Sequence, residues 1–447
     1  MTLDRATMNI IQMGIGFFLN FVAFNAADFI QESVINSASK SGKIDEYAGY
    51  YSLAIVYATF ALGNLISAPI INALSPKYAM SLSVLTYAAF QGGFLYLNVY
   101  YLYFSSAFVG FGASILWAGQ GAYLSQNCTE TTTSRNSAIT WALTEGSLLG
   151  GGLLLYVIFS QSTSSDSISP VTADVLYSVF TGLSLVSAAV LFLLQAPAYQ
   201  EKVEKIQAVS FFQRVYAPFE LLRSRKMQLL TLVFAYTGVE QAFWTGVYPT
   251  CISFTKKLGN DTNVLLALNS IYSGAAQILA GLIFGLLGDK TRRIGRDAVV
   301  LFGAFVHLIV FVMIYLNFPA DASLNDTISD GAILKPNVII AMVSGGLLAF
   351  GDACWNTQIY SLLCESYPTQ SSEAFAMFRF FQAGMECFAF VYSSVLQLQY
   401  ILVIMAGLSV FAAASFFLVE QLESTEISGL SLNDLKFEPK TNDSVYK

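Results

Sequence analysis

The side chains of this protein that could do chemistry are carboxylates, amides and one arginine, all set in long apolar runs. Asn25 and Asp28 interrupt the first run, Gln120 the fourth, Glu240 and Gln241 the seventh, and Asp352, Asn356 and Gln358 the tenth. Glu145 interrupts the fifth, and Arg379 and Glu386 the eleventh. A charge at the centre of a bilayer costs about 2.5–3.5 kcal/mol on insertion scales, so such residues mark a ligand, a coupling ion or a bond between helices. Asp352 and Asn356 are four apart and share a helix face, as do Arg379, Gln382 and Glu386. Glu145 is the candidate for proton or cation coupling. Gly146 and Gly150 beside it suit helix packing instead. Arg379 either snorkels from its span end or pairs with a buried carboxylate such as Glu145 or Asp352. Asp28 could instead lie at the outer interface beside Glu32. His307, the single histidine, reads as a satisfied or interfacial group rather than a proton relay.

Other chemistries lack their residues. The five cysteines are Cys128, Cys251, Cys354, Cys364 and Cys387; none forms a C-x-x-C pair. With one histidine, this points to no disulfide framework, metal site or His-based triad. No P-loop, H-E-x-x-H or G-x-S-x-G is present. The expectation is a non-enzyme with no catalytic residues, no cofactor and no metal.

The elements that must position these groups are membrane spans. The chain has 447 residues, 55% hydrophobic and 11% charged, with mean hydropathy +0.58. A soluble domain carries about 25% charged residues. A net charge of −7 argues against nucleic acid as a partner. At roughly 20 apolar residues per span, the chain holds about twelve spans plus loops. Apolar windows place them near 8–30, 48–71, 78–98, 100–124, 138–160, 173–195, 228–252, 263–287, 298–318, 336–362, 374–396 and 399–420. The expected organisation is a six-helix half over 1–195, a central cytoplasmic loop over 196–227, a second six-helix half over 228–420 and a cytoplasmic tail over 421–447. No cleavable signal peptide is expected, because the first apolar run is too long for one.

Orientation follows from the cations. Sixteen of the 22 Lys and Arg fall on one set of connections and five on the other, which places both termini in the cytoplasm. The membrane, plasma membrane or endomembrane, is left open. Asn260 and Asn325 then head sequons in outside loops and are glycosylation candidates, whereas those at Asn127 and Asn442 face inside. In the central loop, Phe211, Val215, Phe219 and Leu222 recur at helical spacing beside Arg214, Arg223, Arg225 and Lys226. This predicts a short interfacial helix, interrupted at Pro218, serving as a strut between halves or a docking surface.

An internal repeat supports two halves. Trp117-x-x-Gln120 recurs as Trp355-x-x-Gln358 at an offset of 238, which also maps Gly146 onto Gly384. The loop after span eight carries Gly285, Asp289 and Lys290, then Gly295 and Arg296. It resembles the major facilitator loop signature G-x-x-x-D-[RK]-x-G-[RK]-[RK], with the later Gly-Arg two positions late. The equivalent first-half loop, Asn72 to Lys77, lacks it. The expected fold is therefore an all-α membrane protein of twelve transmembrane helices, a major facilitator fold of two six-helix halves.

Within that superfamily the chain resembles the Unc-ninety-three-like branch, closest to its orphan major-facilitator-domain subgroup. The likeness lies in Trp244-Thr245-Gly246-Val247-Tyr248-Pro249-Thr250-Cys251 and in Gly351-Asp352-Ala353-Cys354-Trp355-Asn356-Thr357-Gln358. Phe284 to Leu287 and Gly295 to Val300 add to it. The resemblance implies a non-enzymatic multipass protein that regulates an ion channel, a potassium channel for the founding member, or another membrane protein. In the superfamily, spans one, four, seven and ten line a central cavity, and each carries a polar group here. The alternative is therefore a secondary transporter of a small solute. The expected partners are the lipid bilayer and either that membrane protein or that solute.

Overall fold

The computed structural model describes residues 4–40, 42, 44–128, 133–161, 168–198, 211–259, 261–286, 295–367 and 370–434. Helix starts sit where the sequence offers caps. Asp4 accepts from Thr7 N at 2.6 Å to open α1 (Arg5–Ser39). Asn98 opens α5 (Val99–Ser125), and Ser169 with Pro170 opens α7 (Pro170–Phe192). Between them lie α2 (Ala48–Asn64), α3 (Ser67–Leu74), α4 (Pro76–Gly92) and α6 (Thr133–Ser160). The short α8 (Phe211–Glu220) contains Pro218 and leads into α9 (Arg225–Ala242). A π-helical turn, Phe243–Val247, joins α9 to α10 (Tyr248–Phe254). Then come α11 (Thr262–Leu286), α12 (Arg296–Asn317), α13 (Val338–Ser366), α14 (Ser371–Ser393) and α15 (Leu398–Asp434).

Among the described residues, nine helices are long and apolar enough to cross a membrane. The three other expected spans fall on interrupted or shorter rods: α2 with α3, α4 with a 3-10 turn, and α9 through the π turn to α10. α1 packs on α6 and α7, α2 on α5, and α4 on α5 and α7. In the second bundle α9 packs on α14 and α15, α12 on α13 and α15, and α11 on α13. The bundles meet along two seams, α6 against α11 and α2 against α14. At the first seam a Cβ on Gly152 would fall 2.7 Å from Ile271 N, and one on Gly274 would fall 2.6 Å from Leu149 N. Glycine lets the backbones approach where lipid supplies no hydrophobic drive. At the second seam Tyr57 stacks on Phe390, ring centroids 5.6 Å apart.

The repeat is visible in the packing. Trp117 meets Phe21 of α1 at 5.1 Å, and Trp355 meets Tyr236 of α9 at 4.8 Å. Each tryptophan thus packs on the first helix of its own bundle. The expected interfacial helix is α8; it lies against α14, with Phe219 5.5 Å from Phe380.

Ion pairs mark both ends. At the end where α12 begins, Arg296 holds Glu420 at 2.7 Å, Glu365 at 2.8 Å and Glu423 at 2.9 Å. This gives the loop signature a physical reading. Gly295 takes φ +103°, a backbone glycine favours, and delivers Arg296 to the carboxylates of α13 and α15. Gly285 lies in the last turn of α11; Asp289 and Lys290 lie outside the described residues. At the opposite end Asp326 binds Lys40 at 2.7 Å and Lys256 at 3.1 Å. Tyr50 Oη donates to Ser323 O at 3.0 Å. The segment between α12 and α13 therefore covers the seam between bundles. Asn325 is exposed there, and Asn260 lies outside the described residues. Asn127 is buried and accepts from Asn9 Nδ2 at 2.9 Å.

Candidate functional site

A cavity of about 180 Å³ lies between the bundles. Asn25 and Asp28 of α1, Tyr57 of α2, Trp117 of α5 and Glu145 of α6 face it from the first bundle. Gln241 of α9, Gln277 of α11, Asp352, Asn356 and Tyr360 of α13, and Arg379, Gln382 and Glu386 of α14 face it from the second. Trp244 and Thr245 enter from the π turn. Pro249 explains that turn. It has no N–H to give the carbonyl of Thr245, so the α-helical ladder lapses, and π turns of this kind recur at functional sites. The Thr245 hydroxyl, separately, donates to Gln241 O at 2.9 Å.

The polar groups form two hydrogen-bonded sets in the second bundle. Asp352 accepts from Gln277 Nε2 at 2.8 Å and Asn356 Nδ2 at 2.7 Å. Gln382 donates to Gln241 Oε1 at 3.1 Å and accepts from Arg379 Nη1 at 2.8 Å. Arg379 also donates to Tyr360 Oη. Its guanidinium stands 5.9 Å from the Trp117 ring centroid across the seam. Asn25 Nδ2 donates to Ser147 Oγ at 3.1 Å within the first bundle. Asp28 is 7% exposed, and its Oδ1 has no hydrogen-bond partner. Glu386 is 2% exposed and lies within electrostatic reach of Asp28 and Arg379.

Eight of the eleven expected cavity and coupling residues line this space, and three do not. Gln120 lies almost one turn beyond Trp117, its Nε2 buried without a partner. Glu240 turns toward α12, with Oε1 3.5 Å from His307 Nε2. Gln358 leaves the Asp352–Asn356 face and donates to Thr357 Oγ1 at 3.1 Å. For Glu240 and Gln358 the reason is helical phase, since at 3.6 residues per turn a neighbour one or two positions from a cavity residue faces a different way; Gln120 instead lies about 4.5 Å farther along its helix than Trp117. Of the two alternatives for Arg379, the buried ion pair is not formed here. Among the described residues no carboxylate pairs with Arg379, whose hydrogen bonds go to Gln382 and Tyr360. Asp28 is buried in the cavity wall rather than set at an interface. Glu32 is also buried and accepts from Tyr50 N at 2.9 Å.

His307 is a satisfied core group. Leu348 O can only accept, so Nε2 carries the proton toward it at 3.1 Å, and Nδ1 accepts from Tyr236 Oη at 2.5 Å. Sequence reasoning missed Tyr57, Trp244, Thr245 and Gln277. Gln277 had a signal, an amide in an apolar run; Tyr57 had none, since tyrosines are common throughout the chain.

The family described as "Ion channel regulatory protein UNC-93" matches residues 40–417. UNC93-like protein MFSD11 of Xenopus tropicalis is 35% identical over 437 residues, covering 93% of this chain and 96% of that one. Protein unc-93 homolog A of Homo sapiens is 24% identical over 466 residues, covering 94% and 95%. Among solved structures, a peptide transporter POT mutant in complex with alafosfalin superposes with TM-score 0.70 at 11% identity, covering 94% of this chain and 99% of that one. A mutant of the nucleoside transporter NupG gives 0.66 at 14%, covering 92% and 99%. At these identities the likeness establishes the fold alone, a major facilitator fold, and the family match over most of the chain establishes membership: this multipass membrane protein belongs to the UNC-93 family.

Proposed function

We propose that the cavity binds a small polar solute and that the protein is a secondary transporter of it. The observation that carries this reading is the convergence of Asp28 and Glu145 from one bundle with Asp352, Arg379 and Glu386 from the other. Packing alone needs no charges from both bundles on one space, because each costs desolvation that helix contacts do not require. In this reading the halves, 1–195 and 228–420, rock about the cavity, with both termini cytoplasmic. The segment covering the seam is the gate on the far side, and Glu145 is the coupling carboxylate.

A second reading is favoured by the family's description and by the relatives' membership in it. Here the protein is a non-transporting regulator of an ion channel or another membrane protein, and the cavity is a ligand site that sets its conformation. The test is uptake into proteoliposomes holding only the purified protein, screened across small solutes with and without proton or sodium gradients. Gradient-dependent uptake lost in Glu145→Gln establishes transport. Folded protein with no uptake across the screen sinks it in favour of the regulator, and co-purification of a channel becomes the next measurement.

A further inference from the structure

The cavity's arginine and a pair of acids, Asp28 and Glu386, stand toward opposite ends, with Glu145 and Asp352 also in the lining, and this points to a class of ligand. At one end is Arg379. A guanidinium has five N–H donors in a planar fork. Two of its nitrogens are used on the neutral partners Gln382 and Tyr360, and one face stands over Trp117. That leaves donors free and, among the described residues, no carboxylate paired with them. A fork held against an aromatic ring suits a planar carboxylate.

Toward the other end, Asp28 and Glu386 enter from opposite bundles, both deeply buried and within electrostatic reach of each other. Asp28 Oδ1 is unpartnered and lines the space. Tyr57, within reach of both acids, and Trp244 elsewhere in the lining add aromatic rings, surfaces that attract an ammonium. Arg379 and Glu386 sit seven residues apart on α14, about 10 Å along its axis. At about 180 Å³ the space is smaller than the ~300–1,000 Å³ of pockets for drug-sized ligands. Arg379 is within electrostatic reach of Glu386, Glu145 and Asp352, but its hydrogen bonds go to Gln382 and Tyr360, which hold it at its own end.

We propose that the cavity takes a small zwitterion, its carboxylate on Arg379 and its ammonium between Asp28 and Glu386. This rests on the solute-binding reading and names the solute's class. Because the two acids come from opposite bundles, the ammonium would draw the halves together on that side.

The test is binding to purified full-length protein, read by tryptophan fluorescence, since Trp117 and Trp244 line the cavity. Four six-carbon probes separate the charges. 6-Aminohexanoate and norleucine are zwitterionic isomers with distant and adjacent charges; hexylamine and hexanoate each keep one charge. At least one zwitterion is expected to bind about tenfold or more tighter than both singly charged probes. Arg379→Gln should abolish the advantage over hexylamine, and Asp28→Asn the advantage over hexanoate. Hexylamine or hexanoate binding as tightly as the better of the two zwitterions overturns the proposal. So does failure of all four on protein shown folded by thermal melting. The wild-type series decides even if a variant misfolds. Zwitterion binding without proteoliposome uptake leaves this inference standing and sinks transport; uptake of another solute class without zwitterion binding does the reverse.

Discussion

Arg379 of the second bundle stands 5.9 Å from the ring centroid of Trp117 of the first. The contact crosses the space between the halves, and it is a cation over a π face rather than an ion pair. Such a contact is worth about 0.5–2 kcal/mol depending on desolvation, weak enough to break when the halves move. It also keeps the guanidinium available, which a buried carboxylate partner would not.

Replacing Arg379 should therefore affect ligand handling more than folding. Arg379→Gln is expected to lower solute affinity about tenfold or more, while shifting the melting temperature in detergent by only a few degrees. Arg379→Lys should not restore affinity, because an ammonium lacks the planar fork. A large loss of thermal stability in Arg379→Gln, with affinity unchanged, would recast the residue as structural.

Glycine-to-alanine substitution should separate the crowded α6–α11 seam from an open helix face. Gly274→Ala should destabilise by about 1–3 kcal/mol, since the new Cβ would meet the Leu149 backbone at 2.6 Å and backbone cannot rotate aside. Gly407→Ala, on α15 with nothing within 4 Å, should be neutral or stabilise by up to about 1 kcal/mol through helix propensity. Melting curves of the two variants check this directly, and equal shifts would contradict the close approach.

The Lys40–Asp326 pair tests the far-side gate. Asp326 also binds Lys256, and such ion pairs contribute about 0–1 kcal/mol each, so Asp326→Ala should cost no more than about 2 kcal/mol. A disulfide between Lys40→Cys and Asp326→Cys should instead arrest solute uptake, with recovery on reduction. Full uptake with the cross-link complete would show that the seam need not open there.

Arg296 should matter more to stability. Three carboxylates from α13 and α15 converge on it, and its side chain is only 16% exposed. Arg296→Ala leaves Glu420 and Glu423 partly buried without it, an expected loss of about 1–3 kcal/mol. Raising the salt should narrow the difference from wild type. A salt-independent difference would point to lost packing of the side-chain stem instead.

Asn325 reports orientation. It is exposed on the far side from the start of α1, within an Asn-x-Thr sequon. In a glycosylating cell, Asn325→Gln should remove one amidase-sensitive mobility shift. Persistence of every shift in a protein also carrying Asn260→Gln would place this face in the cytoplasm.

Much of the fold could be read from residue order, because a bilayer asks each segment one local question. A run of about 20 apolar residues must form a helix, since its backbone has no other partner in hydrocarbon. The caps Asp4, Asn98, Ser169 and Asn337 stand at helix starts in plain view. The Trp117 and Trp355 repeat marks the duplicated bundle before any coordinate is known. Which polar groups converge is a different kind of fact. Glu240 and Gln241 are adjacent and equally polar, yet only Gln241 faces the cavity while Glu240 turns toward His307. Gln277 and Tyr57 reach the site from helices 220 residues apart in sequence. Helical phase and the angle of packing set those outcomes. Both depend on glycine contacts such as Gly152 with Ile271, and on the π turn at Trp244, where the register shifts because Pro249 cannot donate. Composition carries the membrane and the helices; only the assembled bundles decide that Arg379 faces aromatic rings instead of a carboxylate.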